Sequence, residues 1–278
     1  MISILRIIVW SRSTKPYKIN CTEKKRLVVL GNGPSFKNTI EENLDFIKNQ
    51  ELICLNHFAI TDYYTELKPR YYFTIAHDLF LDETAEKYKS AAIKLFNAIA
   101  DKTTWDLKFF ITYEAKKEKQ WQQILKRNKN IEIVFMNITP VDGFKCFRYL
   151  CYNKGFGMTR PHNVMIPAMH FAIFSKVKDI LLIGAEHSWL NELHVDENNN
   201  ALFFNEHFYD NEKSSKEYNN RGKSAFKLHE ILATLATAFK SYHELNEYAN
   251  SKNVKIYNCT PTSFIDAFER KKIRSFFE

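Results

Sequence analysis

The chain predicts an α/β fold: a Rossmann-like, mostly parallel sheet with helices on both faces and a polar lid insertion. Short apolar runs of strand length recur along it, and helical patterns of ten or more residues lie between them. Parallel strands need crossovers of that length, so the alternation points to a parallel sheet. No internal repeat and no Gly/Ser linker divides the pattern, and 278 residues are ample for a full core. The expected organisation is an extension over 1–25 and one Rossmann-like domain over 26–278, with a lid insertion at 189–221.

The opening stretch from Met1 to Arg12 is largely apolar with Arg6 inside it. It is too short to span a bilayer, and it lacks a basic n-region and a small-residue cleavage site. A first strand is one expectation. A weak interfacial anchor, with Trp10, Arg12, Lys15 and Lys18 at headgroup level, is the other. The first internal strand is expected over 26–30, where a β-branched and leucine run breaks into Gly31-Asn-Gly-Pro-Ser35 and then into helical sequence over 39–49. Further strands are expected over 52–55, 71–75, 108–111, 131–135, 179–183 and 254–257, each apolar and four to five residues long. Helical patterns fall near 82–100, 114–127, 164–175 and 224–251. In the last of these, Leu228, Ile231, Leu232, Leu235, Phe239, Tyr242 and Leu245 form one apolar stripe. The stretch 189–221 is rich in Asn, Asp, Glu and Lys and comes directly after a strand end, which is where α/β enzymes carry lids and acceptor loops. A solvated loop is its alternative, although His207-Phe208-Tyr209 inside it argues against full disorder.

The net charge of +8 suggests an anionic partner: a nucleotide, an anionic glycan or a membrane surface. Nothing resembles a zinc finger, an RNA-recognition motif or a regularly spaced basic helix, so no nucleic-acid partner is expected. The 5 cysteines are scattered without a CxxC pair, which reads as free thiols in a reducing cytosol. Only 7 glycines occur in the chain, so two within Gly31–Ser35 are a local concentration.

That turn places backbone N–H groups and a helix start where an anion can sit, with the Asn32 amide and the Ser35 hydroxyl beside it. Gly33 is expected to be a glycine because a Cβ would push a phosphate away. It is neither a Gly-x-Gly-x-x-Gly fingerprint nor a Walker loop, and a tight turn with nothing bound is the alternative. Asn56-His57, Ala76-His77-Asp78 and Gly184-Ala-Glu186-His187 also fall at expected strand ends. All four clusters would meet on one edge of a parallel sheet, the usual ligand crevice. Arg160 and Asn163 precede the helix near 164–175: Arg160 can meet an anion and Asn163 can present an amide, while capping of the helix start is the alternative. Three histidines compete for a general base: His187 at a strand end, His207 in the insertion, and His229 at the border of the long helix's apolar stripe. No Asp-x-Asp occurs, which argues against a metal held on a sugar-nucleotide diphosphate and is compatible with a CMP-sugar donor.

These pieces resemble the bacterial CMP-sialic-acid-dependent sialyltransferases of the small α/β type. They also resemble the wider group that includes the motility-associated flagellin glycosylation factors and the archaeal 6-hydroxymethylpterin diphosphokinases. The matching segments are Gly31-Asn-Gly-Pro-Ser35, Cys54-Leu-Asn56, the polar end of the third strand, Lys178-Asp-Ile-Leu-Leu-Ile-Gly184-Ala-Glu186, and Val254-Lys-Ile-Tyr-Asn-Cys-Thr-Pro-Thr-Ser263. The resemblance implies that Asn32 and Asn56 hold donor phosphate and sugar, Ser35 the phosphate, and Asn163 the nucleotide. It puts Thr260 and Ser263 where the last strand closes the site. The chain departs from the pattern in carrying His187-Ser188-Trp189 where the sialyltransferases have phosphate-binding tyrosines. The histidine of their lid matches nothing in exact register; His229 is nearest and His207 next.

The function this implies is a glycosyltransferase that moves a CMP-activated acidic sugar, sialic-acid-like or Kdo-like, onto a cell-surface glycan of the lipopolysaccharide or capsule kind. It would work without metal, with a nucleotide-sugar donor in place of any cofactor. The expected acceptor is a glycan or glycolipid, at a cytoplasmic location or peripherally on the inner membrane, and an oligomer is compatible. Two other readings stay open: an Mg²⁺-dependent diphosphokinase using carboxylates such as Asp78 and Glu186, and a non-catalytic nucleotide- or glycan-binding module.

Overall fold

The computed structural model describes residues 2–12, 17–22, 26–80, 86–204, 215–217 and 226–277. The chain begins with helix α1 (Ile2–Trp10), then β1 (Leu27–Leu30), α2 (Phe36–Lys48), β2 (Glu51–Leu55), α3 (Tyr63–Leu67) and β3 (Tyr71–Thr74). Next come α4 (Glu86–Lys102), β4 (Leu107–Thr112), α5 (Gln120–Leu125), β5 (Ile131–Met136), α6 (Lys145–Lys154), α7 (Met165–Phe174) and β6 (Asp179–Ile183). Three short strands, β7 (Leu193–Val195), β8 (Ala201–Phe204) and β9 (Ser215–Glu217), precede the long α8 (Leu228–Ser251), β10 (Lys255–Asn258) and β11 (Glu269–Arg270).

Eight strands form one sheet in the order β11-β10-β6-β1-β2-β3-β4-β5. All its pairings are parallel. The fold is therefore the expected α/β, Rossmann-like sheet. Alternate residues of the central strands face opposite layers, as the two-residue period of a strand requires. Leu27, Val29, Ile180 and Leu182 pack with α7 and α8, whereas Val28, Leu30, Leu181 and Ile183 pack with α2, α4 and α5. Because both faces are covered, β1 is wholly buried and reads as an unbroken apolar run.

The expected elements differ from the observed ones where tertiary contacts decide. Residues 2–10 are a helix, not a strand, and α1 is held on the loop after β5 by Ser3 and Arg6, one helical turn apart. The helix expected near 114–127 divides into a turn over Tyr113–Lys117 and α5. Burial of Trp121 causes the division, because its indole N–H donates to the Ala115 carbonyl and fixes the chain between them. Residues 81–85, at the start of the helix expected near 82–100, lie outside the described residues. The described part of the 189–221 insertion is an antiparallel three-stranded sheet. It packs on the start of α8 through Trp189, Leu193 and Ala201 against Ile231 and Leu235. Among the described residues no helix is long and apolar enough to cross a membrane.

α7 is buried from Met165 to Ile173 and so carries His170 into the core. The ring is 5% exposed and stacks on Tyr248 at 5.3 Å. Burial lowers its pKa from 6.5 to about 3. Between those values the unfolded chain binds a proton at this position that the fold excludes, so the stability His170 contributes at neutral pH is lost as pH falls. One such proton is worth about 1.4 kcal/mol per pH unit. We expect His170→Leu to flatten the acid-side fall in stability by that slope, read from urea midpoints at a series of pH values. Parallel pH profiles for the two proteins would contradict the assignment.

Candidate active site

β1 and β6 lie side by side, although the chain runs outward from β1 through β5 before it returns to β6 on β1's other flank. The order of the strands therefore reverses between these two, and a ligand crevice is expected outside their carboxyl ends. The turns that leave them touch. The Gly31 N–H donates to the Ile183 carbonyl at 2.9 Å, and the Gly33 N–H to the Gly184 carbonyl at 2.8 Å. A Cβ on Gly31 would lie 2.3 Å from the Gly184 carbonyl oxygen, and Gly184 itself has φ +60°. Glycine is required at both positions by backbone packing.

Glu186 completes the junction. Its Oε1 accepts the Ser35 N–H at 2.7 Å, at the first turn of α2. A Cβ on Gly33 would lie 1.7 Å from its Oε2. The helix start that the sequence offers to an external anion is thus occupied by a carboxylate of the same chain. Gly33 gives room to that carboxylate. A phosphate about 4 Å from it would be repelled by roughly 4 kcal/mol at a surface-like dielectric, more than a helix N-terminus returns. Three polar atoms here are buried and unpartnered: Asn32 Oδ1, Ser35 Oγ and Glu186 Oε2.

The junction is tied to its neighbours on both sides. The Asn32 amide donates to the Leu55 carbonyl at 3.2 Å, which holds it beside Asn56 at the end of β2. Asn56 has φ +48°, and its Oδ1 lies 3.5 Å from the Thr74 hydroxyl. On the other flank Thr260 and Ser263 serve the scaffold. The Thr260 hydroxyl accepts the Ala185 N–H at 3.0 Å, and the Ser263 hydroxyl donates to the Ala185 carbonyl at 2.6 Å.

His187, with φ +50°, turns back against α8. The Asn163 amide donates to the Tyr242 hydroxyl at 2.8 Å, and that hydroxyl lies 2.6 Å from His187 Nε2. The Tyr242 hydroxyl also lies 3.8 Å from the Met165 sulfur, so His187 Nε2 is the nearer of two partners for it. Trp189 covers the ring at 4.0 Å between centroids. Burial pushes the imidazole down to about 3 and the Tyr242 phenol up. As arranged, His187 is a neutral imidazole already engaged by Tyr242.

The other expected residues lie apart from this group. Arg160 is ion-paired with Asp142. Together with His162, Thr237, Lys240 and Glu244 they line a cavity of about 510 Å³ beside α8. His229 is exposed in the first turn of α8. Asp78 falls in the short turn after β3, with its side chain outside the described residues, as is the whole of His207. Among the described residues no group of three His, Cys, Asp or Glu side chains could hold a metal ion.

A cavity of about 750 Å³ beside α2 joins Ser35 and Thr260 to residues not singled out in the sequence: Arg270, Lys271, Lys272 and Arg274. Arg270 clamps the loop carbonyls of Thr260, Pro261 and Ser263, Lys271 lies over the Tyr257 and Phe276 rings, and Arg274 pairs with Glu42. The basic run after β10 is the signal that would have found them.

No family model and no curated protein matches this chain. It is similar to the structure of the MAf glycosyltransferase from Magnetospirillum magneticum AMB-1, with 11% identity and a TM-score of 0.47. The match covers 99% of this chain and 38% of that one, so the chain spans well under half of that protein's length.

The contact between Gly33 and Glu186 is testable as a pair. Gly33→Ala drives a methyl into the carboxylate and is expected to cost about 1–3 kcal/mol, as overpacking does. Glu186→Ala removes the obstacle together with the bond to Ser35. In denaturant titrations the double variant should be more stable than the sum of the two losses by about 0.5–3 kcal/mol. Simple additivity would show that the two residues do not meet.

Proposed function

We propose that this chain is a glycosyltransferase that moves a CMP-activated acidic sugar onto a cell-surface glycan or glycolipid acceptor, at the cytoplasmic face of the inner membrane. The observation that carries this reading is the set of unpartnered polar atoms at the strand-order reversal, Asn32 Oδ1 and Ser35 Oγ above all. Buried polar groups are nearly always hydrogen-bonded, and two without partners at a sheet's ligand edge are suited to a polar ligand.

In this reading Asn32, Asn56 and Asn163 offer amides to the donor's sugar and nucleotide, and Ser35 offers its hydroxyl to the phosphate. The phosphate lies on the Ser35 side away from Glu186, where the segment from Arg270 to Lys272 supplies positive potential. A donor with one phosphate suits a site whose helix start is already taken by a carboxylate, since it brings less negative charge than a diphosphate. In the transfer the acceptor oxygen bonds to the anomeric carbon as the bond from that carbon to the phosphate oxygen breaks. CMP leaves with the bonding pair, and the acceptor's proton passes to a base. We assign that role to His229, whose exposed ring stands at the first turn of α8, apart from the crevice, so the assignment requires the acceptor to bridge the two. That turn is closed by the Lys227 N–H on Glu230 Oε2 at 2.8 Å. His187 acts through position, holding Asn163 by way of Tyr242.

Two measurements test the reading. CMP should raise the melting temperature without Mg²⁺ and in the presence of EDTA. Ser35→Ala should weaken CMP by about 10–100-fold, the worth of one hydrogen bond to a charged group, while leaving the free protein as stable as before because the hydroxyl has no partner to lose. Stabilisation by ATP only with Mg²⁺ would favour a kinase and sink the transferase. For the base, His229→Ala should keep CMP affinity and lose turnover by about 10²–10⁴-fold. Near-normal turnover in that variant would move the role to His187 or His207.

A further inference from the structure

We propose that α1 is a membrane-docking helix that lays its outer face into the interfacial region of an anionic bilayer. The inference gives the proposed transferase's membrane partner a defined surface, and its observations are independent of the transferase reading. A surface helix of a globular protein normally turns its apolar stripe inward. α1 is inverted. Ser3 is buried and its hydroxyl accepts the Asp142 N–H at 2.9 Å, while Arg6 pairs with the Asp142 carboxylate at 2.7 Å. Ile7 is the apolar residue packed against the core. Ile2, Ile4, Leu5, Ile8, Val9 and Trp10 are each at least 50% exposed, with Ile8 at 72%.

Two further exposed aromatics lie on segments tethered to the two ends of the helix. Phe144, two residues past Asp142, is 84% exposed. At the other end the Asn137 amide donates to both the Ser11 hydroxyl and the Gly155 carbonyl, each at 2.8 Å, which brings the exposed Phe156 alongside. Six exposed large apolar side chains on one nine-residue helix mark a surface that is covered in use.

Charge selects the occupant. With Arg6 paired to Asp142, residues 1–22 still contain the basic side chains Arg12, Lys15 and Lys18 and no acidic one. Arg12 and Lys154 are exposed near the C-terminal end of the patch. A second copy would bring like charges together, whereas anionic headgroups complement them. Trp10, half-exposed beside Arg12, has the amphipathic ring that settles at the headgroup boundary.

Vesicle flotation with the full chain tests the proposal. The chain should float with vesicles of phosphatidylcholine and phosphatidylglycerol and much less with phosphatidylcholine alone. Leu5→Glu with Ile8→Glu should lower the floated fraction by about tenfold or more, because carboxylates are strongly disfavoured below the headgroups. Phe144→Glu should act in the same direction at a separate site. All three positions are exposed, so melting temperature and CMP stabilisation should match the parent. CMP stabilisation reports on the transferase reading alone, so the two readings fail separately. The proposal is overturned if the parent stays with the soluble fraction, if the glutamate variants float equally well, or if light scattering finds a dimer that those variants dissociate while no form binds vesicles.

Discussion

The junction of the β1 and β6 turns is the constraint on which the rest of the carboxyl edge depends. Two glycines let the backbones approach to hydrogen-bonding distance, and Glu186 fastens the start of α2 to the end of β6. The strands themselves are indifferent to the turns that leave them, since their stability comes from burial on both faces. What the junction decides is the direction of α2, and hence where Asn32 and Ser35 stand. The braces from Thr260 and Ser263 to Ala185 bring the chain after β10 into the same assembly. A side chain at Gly31 or Gly184 would therefore disturb three turns at once.

The junction also shapes the electrostatics of any ligand. A carboxylate at a helix N-terminus stabilises the helix and lowers the local affinity for a further anion. Positive potential for a phosphate must then come from side chains, and the cations that share a cavity with Ser35 belong to the segment after β10. The sheet edge keeps its polar character while the backbone anion site is used internally, which distinguishes this crevice from a dinucleotide-binding turn.

Legibility in the sequence tracks the range of the interactions involved. The strands from β1 to β6 and β10 are readable to within two residues, because continuous apolar runs bounded by turns are a local signal. α1 reads as a possible strand because its inward residues, Ser3 and Arg6, find their partner near Asp142, a contact invisible to periodicity. α6 escapes the pattern because Arg148 is buried at its centre, paired with Glu244 and Glu247, where a polar residue reads as surface. The strand ends bearing Asn32, Asn56, Glu186 and His187 fall on one edge, as the alternation of strands and helices implies. Their employment is not legible. That Glu186 fills the start of α2 requires knowing that β6 returns beside β1, and that His187 is engaged from within requires Tyr242 from a helix 55 residues away.

Asp142 connects the exposed apolar face of α1 to the cavity beside α8. Its carboxylate accepts from Arg6 of α1 and from Arg160, and it lines the cavity beside α8. One residue therefore joins the inverted helix to a polar recess on the carboxyl side of β5. Exposed ion pairs contribute only about 0–1 kcal/mol each, too little to account for holding an apolar helix outward in water. The arrangement makes physical sense when the outer face of α1 is covered, since the same pairs then hold the recess at a fixed distance from whatever covers it. The recess that Arg160, His162 and Lys240 line is thereby tied to α1 through a single carboxylate.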